Sequence, residues 1–377
     1  MRYYIIAGEA SGDLHGSNLV KGLKNEDTEC EFRFWGGDLM QAEGGEMAMH
    51  YSKTAFMGIK EVLSNLDKIK ANLRYCKSDI EAYNPDVLIL IDYPGFNLRI
   101  AEFAHKMGLK VFYYISPKIW AWNTGRVSKI KKYVDRMYTI LPFETEFYKK
   151  HNVPINYVGN PVLDAIDARP NKAETVGEFT KRNGLSNKPM VALLAGSRKQ
   201  ELNYILPTML SVVESFPEYQ FVIAGAPSFS AEHYQEFVKG KDVSIIFDQT
   251  YELVQHSQAA LVTSGTATLE TALLDCPQVV CYKMWGGKWF YAFIKKFILK
   301  IPFVSLVNLV LNKEGVKELI QDEYTTESVT AELKDLLHNQ DYRIKMFISY
   351  NDLHTIMGRP GSSAKAAKLM VQELKNN

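Results

Sequence analysis

The sequence predicts an α/β protein of two doubly wound, parallel-sheet (Rossmann-like) domains facing each other across a cleft. Three observations predict it. Short apolar runs alternate with amphipathic stretches from end to end. The runs are apolar at successive positions, as strands buried on both faces and covered by helices must be. The plan also occurs twice, each copy opening on a hydrophobic strand that ends in a glycine turn: Tyr4-Ile5-Ile6-Ala7-Gly8 and Ala192-Leu193-Leu194-Ala195-Gly196.

The elements follow in order. In the first copy the strands are Arg2–Ala7, Phe32–Trp35, Asp86–Ile91, Val111–Ile115, Met137–Leu141 and Asn156–Val158. In the second they are Met190–Ala195, Gln220–Ala224, Val243–Phe247, Ala259–Thr263 and Gln278–Tyr282. Leu98–Met107 and Leu206–Phe216 are typical of the helices between them. Asp164–Pro189 is polar and carries Pro170, Gly177, Gly184 and Pro189, the composition of a linker. This gives domains over 1–163 and 164–344. The segment 345–377 holds a helix over Ser363–Leu374, capped by Ser362 or Ser363 after Pro360-Gly361, and is a candidate to pack back on the first domain.

Composition narrows the function. A chain of 377 residues holds two or three domains at ~150 residues each. Lys plus Arg total 44 and Asp plus Glu 43, so no global positive excess points to nucleic acid. Cys30, Cys76, Cys276 and Cys281 form no Cys-x-x-Cys pair, as expected of a reducing compartment. The histidines lack metal-ligand spacing, and no metal or cofactor is expected. The first strand begins at Arg2, leaving no room for a signal peptide, and no run of ~18 apolar residues predicts a transmembrane helix. A cytoplasmic, metal-independent protein is the expectation.

Six motifs carry the chemistry. Gly8-Glu9-Ala10-Ser11-Gly12-Asp13-Leu14-His15-Gly16 joins a strand to a helix whose apolar positions are Leu14, Leu19, Val20 and Leu23. Its glycines let a ligand approach backbone N–H groups at a helix start. It is neither a dinucleotide fingerprint nor a P-loop. The plain alternative is a turn capped by Ser11 or Asp13. In the second motif, Asp92 ends a buried strand, where partial desolvation suits a general base; otherwise it caps the helix beginning near Asn97. In the third, Ser116-Pro117-Lys118-Ile119-Trp120-Ala121-Trp122, the two tryptophans either pack beneath the loop or wall a pocket for a sugar or acyl chain. Arg126, Lys129, Lys131 and Lys132 then form a basic face, either solvated or facing phosphate.

In the fourth motif, Gly196-Ser197-Arg198, a capping box of Ser197 and Gln200 accounts for the serine. Arg198 is then a cation in the first turn, where the helix dipole favours anions, and a shared diphosphate would explain it. In the fifth, Ser264-Gly265-Thr266 offers hydroxyls and N–H groups to a phosphate. Glu270 lies one turn on, without a capping box, and is placed to take a ribose or simply to favour the helix dipole. The sixth, Met284–Phe303, is aromatic and basic without an acid. Trp289, Phe290, Phe293 and Phe297, with Lys296 and Lys300 at the apolar edge, describe an interfacial membrane helix, a subunit interface or core.

Taken together and in this order, the motifs resemble the lipid-A-disaccharide synthase family of GT-B glycosyltransferases. The resemblance spans nearly the whole chain. Besides the six motifs it rests on Met57-Gly58 before Glu61-Val62-Leu63, on Ile91-Asp92 with Pro94, and on Ser305-Leu306 with Asn308-Leu309 before Lys317-Glu318. The chain departs from the family pattern at Gly95, where an acid is common, and at Ala195, where proline is.

The resemblance implies transfer of diacylglucosamine from UDP-diacylglucosamine to diacylglucosamine 1-phosphate. The product is a β-1′,6-linked disaccharide phosphate, with UDP released. The α-linked donor and β-linked product imply inversion by one in-line displacement. Asp92 or Asp13 is then the base. Glu9, Ser11, Gly12, Trp120 and Trp122 bind substrate. Gly196, Ser197, Arg198, Ser264, Gly265, Thr266 and Glu270 hold UDP. Asn308 and Glu314 are family-matched candidates for the cleft. Two lipid substrates imply peripheral association with the cytoplasmic face of the inner membrane through the sixth motif, alone or as a homodimer. Two readings compete: a UDP-sugar epimerase on the same fold, and a non-catalytic sugar-nucleotide or lipid-binding protein.

Overall fold

The computed structural model describes residues 1–54, 65–122, 124–284 and 301–376. The chain divides into two compact units, Met1–Ala165 with Arg359–Asn377, and Ile166–Gly358.

The first unit is a seven-stranded parallel sheet. Its strands are β1 (Arg2–Ala7), β2 (Glu31–Gly36), β3 (Glu46–His50), β4 (Val87–Ile91), β5 (Lys110–Tyr114), β6 (Arg136–Thr139) and β7 (Ile155–Tyr157), in the order β3-β2-β1-β4-β5-β6-β7. Its helices are α1 (Ala10–Glu26), α2 (Asp38–Ala42), α3 (Leu66–Tyr83), α4 (Pro94–Lys106), α5 (Ile119–Trp122), α6 (Val127–Tyr133), α7 (Pro142–Lys150) and, at the boundary of the units, α8 (Pro161–Ala168). Alternation on β1 sorts the core. Tyr3, Ile5 and Ala7 join the cluster beneath α1, and Tyr4 and Ile6 join the cluster on the other face.

The second unit is a six-stranded parallel sheet of the same plan. Helix α9 (Val176–Arg182) precedes β8 (Met190–Leu194), α10 (Lys199–Ser211), β9 (Gln220–Gly225), α11 (Ala231–Val238), β10 (Val243–Phe247) and α12 (Thr250–His256). Then come β11 (Ser257–Thr263), α13 (Thr266–Leu273), β12 (Gln278–Tyr282), α14 (Leu306–Leu311), β13 (Lys317–Ile320), α15 (Thr326–His338) and α16 (Gln340–Met357). The strand order is β10-β9-β8-β11-β12-β13. The expected linker is not irregular throughout, because α8 and α9 both fall in or against it.

The C-terminal segment is two helices rather than one. Helix α16 ends at Gly358, where φ is +79°, and α17 (Ser362–Lys375) begins after Gly361 at φ +115°. Only α17 belongs to the first unit. Its Ala366, Ala367, Met370 and Val371 complete the core beside Leu19, Val20 and Leu23 of α1. A Cβ on Gly22 would stand 2.8 Å from that of Ala367, so a glycine is needed for the two helices to approach this closely. Asp164 closes the start of α17. Its carboxylate accepts bonds from the backbone N–H groups of Gly361, Ser362 and Ser363 and from the Ser362 hydroxyl, at 2.6 to 3.1 Å.

Candidate active site

In each sheet the strand order reverses once, between β1 and β4 and between β8 and β11. Such switch points leave a crevice at the carboxyl ends of the strands, where open α/β sheets bind ligands. The predicted loops fall there. Gly8–Asp13 follows β1 and Asp92 follows β4; Gly196–Arg198 follows β8 and Ser264–Thr266 follows β11.

The two loops of the first unit touch. A Cβ on Gly8 would lie 2.4 Å from the Tyr93 ring, so only glycine lets that ring cover the turn. Burial, and then the neighbouring Glu9 carboxylate, push the Tyr93 phenol up to about 12. Glu9 is half-buried and Ser11 exposed, while Gly12 and Asp13 are buried. The Asp13 carboxylate faces inward to the start of α2. It accepts from the N–H of Gly37 at 2.7 Å, Leu39 at 3.0 Å and Met40 at 3.1 Å. These are the orphan donors of a helix start, so Asp13 caps α2 from another element.

Asp92 is held by its backbone. It is half-buried, with φ +41°, and Tyr93 follows at φ +47°. Left-handed backbone is strained for residues with a Cβ, and such strain gathers at functional loops. Ile115, at the end of neighbouring β5, has φ +63°, a further outlier for a β-branched residue. The Asp92 N–H bonds the Tyr114 carbonyl at 3.3 Å. Asn97 does not await a cap from Asp92: helix α4 already begins at Pro94, and the Asn97 amide donates back to the carbonyls of Ile91 and Asp92.

Trp120 resolves toward packing. It is 8% exposed, donates from its indole N–H to Glu144 at 3.2 Å, and meets the Phe143 ring edge-on. For Trp122 the structure describes the backbone alone. Glu144, which the sequence reading passed over, is 1% exposed and also accepts the N–H groups of Ile140 and Leu141. Burial raises its carboxyl to about 7, against these bonds that favour its charge. Its signal was present: Pro142 and Glu144 are the first and third residues of α7, where proline and an acid suit a helix start.

In the second unit α10 starts one residue later than expected, which corrects two inferences. The capping carboxylate is Glu201, accepting from the N–H of Ser197 at 3.1 Å and of Arg198 at 3.2 Å, so Ser197 and Gln200 form no capping box. Arg198 flanks the helix instead of standing inside its first turn, and its guanidinium is 3.5 Å from Glu201. Glu201 thus balances part of the charge assigned to a diphosphate. Gly196 has φ +98° and a Cβ there would overlap Glu201, so a glycine is required. Ser197 and Arg198 are exposed.

At the other loop the Ser264 hydroxyl donates to the Val304 carbonyl at 2.8 Å, and Thr266 is exposed. A Cβ on Gly265 would meet nothing within 4 Å. Glu270 accepts from the Tyr251 hydroxyl at 3.1 Å, and burial raises its carboxyl against that bond.

The two remaining candidates separate. Asn308 is fully buried, and its amide bonds the N–H groups of Gly315 and Val316, the Val316 carbonyl and Glu318. That is a structural knot in which both amide atoms are already partnered. Glu314 is exposed and 3.6 Å from Lys317. Trp289, Phe290, Phe293, Lys296, Phe297 and Lys300 lie outside the described residues, as do Met57-Gly58 and Glu61-Val62-Leu63. Among the described residues no helix is long and apolar enough to cross a membrane, and no cluster of three potential ligands forms a metal site.

Two parallel α/β units with glycine turns at both switch points define a GT-B-type fold, and solved structures share it. An S. aureus MnaA–UDP co-structure aligns with TM-score 0.68 at 12% identity, covering 99% of this chain and 97% of that one. The UDP-GlcNAc 2-epimerase of Methanocaldococcus jannaschii, in complex with UDP-GlcNAc and UDP, aligns with TM-score 0.66 at 12% identity over the full length of both. At such identities the likeness is one of fold.

Sequence decides among the enzymes of this fold. The family model for lipid-A-disaccharide synthetase matches residues 3–372, and the chain belongs to that family of glycosyltransferases. The lipid-A-disaccharide synthase of Syntrophus aciditrophicus is 36% identical, over 99% of this chain and 98% of its own length. That of Trichlorobacter lovleyi is 35% identical, over 98% and 97%.

Proposed function

We propose that the protein transfers diacylglucosamine from UDP-diacylglucosamine to the 6-hydroxyl of diacylglucosamine 1-phosphate. Family membership supports the reaction. The observation that carries its division of labour is the occurrence of a separate loop pair at the switch point of each sheet. The first unit supplies the acceptor site and the base; the second supplies the nucleotide site.

Asp92 accepts the proton of the 6-hydroxyl as its oxygen attacks the anomeric carbon. The bond from that carbon to the diphosphate oxygen breaks on the opposite side, inverting the centre and releasing UDP. Arg198, the Ser197 hydroxyl in the turn at Gly196 and the Thr266 hydroxyl in the turn at Ser264–Thr266 bind the leaving diphosphate. Glu270 orients the ribose. Asp13 is the weaker candidate for the base, because its carboxylate already accepts three N–H bonds. Glu9, Ser11 and Gly12 bind the acceptor head group.

Both substrates carry acyl chains, and each buried CH₂ contributes ~0.8 kcal/mol to membrane affinity. The enzyme therefore works peripherally at the cytoplasmic face of the inner membrane, through the segment containing Phe290, Phe293 and Phe297. The test is an assay with both lipid substrates, in which disaccharide phosphate and UDP form in equal amounts. The same protein with UDP-GlcNAc alone yields no epimer; a new UDP-sugar there would move it to the epimerases. Activity persists after exhaustive chelation, and its loss would require a metal in the scheme.

A further inference from the structure

We infer that Tyr113 and Asn97 are positioning residues that hold Asp92 in its left-handed conformation and so aim its carboxylate. The inference rests on the reading of Asp92 as the base.

The Asp92 backbone is unfavourable by itself. At φ +41°, followed by Tyr93 at φ +47°, it is a pair of non-glycine residues in a region where a Cβ crowds the chain. Such a conformation persists only where its surroundings over-determine it. Here two wholly buried side chains converge on one atom, the Asp92 carbonyl oxygen. The Asn97 amide donates to it at 2.8 Å and to the Ile91 carbonyl at 3.2 Å. The Tyr113 hydroxyl donates to it in a short bond. Both side chains are 0% exposed.

The two donors come from different elements, α4 and β5, so the carbonyl is fixed from two directions. Burial and the neighbouring Asp92 charge push the Tyr113 phenol well above its ordinary range, so it stays protonated and can only donate to this acceptor. If the grip is lost, Asp92 relaxes toward extended backbone. Its Cβ swings with the rotation and the carboxylate leaves its place. The fold has little other need of the contact, since β4 and β5 are already paired through their backbones.

The experiment compares Tyr113→Phe, Asn97→Ser and Asp92→Asn in the complete chain with both lipid substrates. Tyr113→Phe removes only the hydroxyl; Asn97→Ser is the second probe should the first fold poorly. Each lowers kcat ~10- to 100-fold, the scale expected of a misplaced reacting group, with KM for donor and acceptor within about two-fold of wild type. Asp92→Asn shows a larger loss. A merely structural role would lower the melting temperature without this split between kcat and KM. Wild-type kcat in both positioning variants, or a loss confined to KM, overturns the inference while leaving Asp92 as the base. Wild-type turnover in Asp92→Asn overturns the reading of Asp92 itself.

Discussion

Asp13, in the first turn of the helix after β1, and Asp92, just beyond β4, flank one switch point and are held differently. In Asp13 it is the carboxylate that the protein binds, through three N–H donors at the start of α2. At Asp92 the main-chain carbonyl is gripped by Asn97 and Tyr113, and the backbone lies in the left-handed region. A carboxylate that accepts three backbone N–H bonds is tied into the architecture of the loop it caps. A constrained backbone fixes the direction of its side chain, as the proposed role of Asp92 requires. Sequence position alone treats the two as equals.

The largest effect separates them directly. Asp92→Asn should lower turnover ~10²- to 10⁴-fold, the range of general-base catalysis, with the unfolding midpoint unchanged. Asp13→Ala should instead cost about 2–4 kcal/mol in denaturant unfolding, because it leaves buried N–H groups without acceptors. Full stability with abolished turnover in Asp13→Ala would reverse the two roles.

His15, one residue beyond Leu14 in the same helix turn, tests the first loop by pH. Burial lowers its imidazole to about 4 from an ordinary 6.5. Between those values only the unfolded chain takes up the proton. Stability is therefore full above pH 6.5 and falls as pH drops toward 4, by on the order of 3 kcal/mol. His15→Gln should flatten this slope; an unchanged slope would mean that the imidazole is solvated.

In the second unit, Arg198→Ala should weaken UDP binding by roughly 1.5–3 kcal/mol in calorimetry, as for a charged hydrogen bond. Unchanged affinity would leave the arginine to its contact with Glu201. The smallest effect contrasts two glycines. Gly265→Ala meets open space and should keep its melting temperature while losing UDP affinity. Gly8→Ala must displace the Tyr93 ring and should melt lower.

Much of this was legible in the sequence, and the losses have physical causes. The central strands were found because burial on both faces makes them uniformly apolar. Strands β3 and β13 were missed because both lie at sheet edges, where Glu46-Met47-Ala48-Met49-His50 and Lys317-Glu318-Leu319-Ile320 carry charge and apolar residues together. The glycine turns were legible because glycine has few other reasons to recur at strand ends. Partners were not. Nothing in the spacing of Asp13 tells that residues 37–40 return to its carboxylate, nor that Asn308 folds onto residues 315–318. The family resemblance singled out Asn308 but could not say that its amide was already occupied.

The placement of α17 has a consequence for synthesis. Ala366, Ala367, Met370 and Val371 are interior residues of a unit whose strands and other helices are all made by residue 168. The first unit therefore waits, lacking one wall, until the ribosome has finished the second. A fragment ending at Ala165 would expose the apolar flank of α1, so the halves of this chain cannot be separated by a single cut.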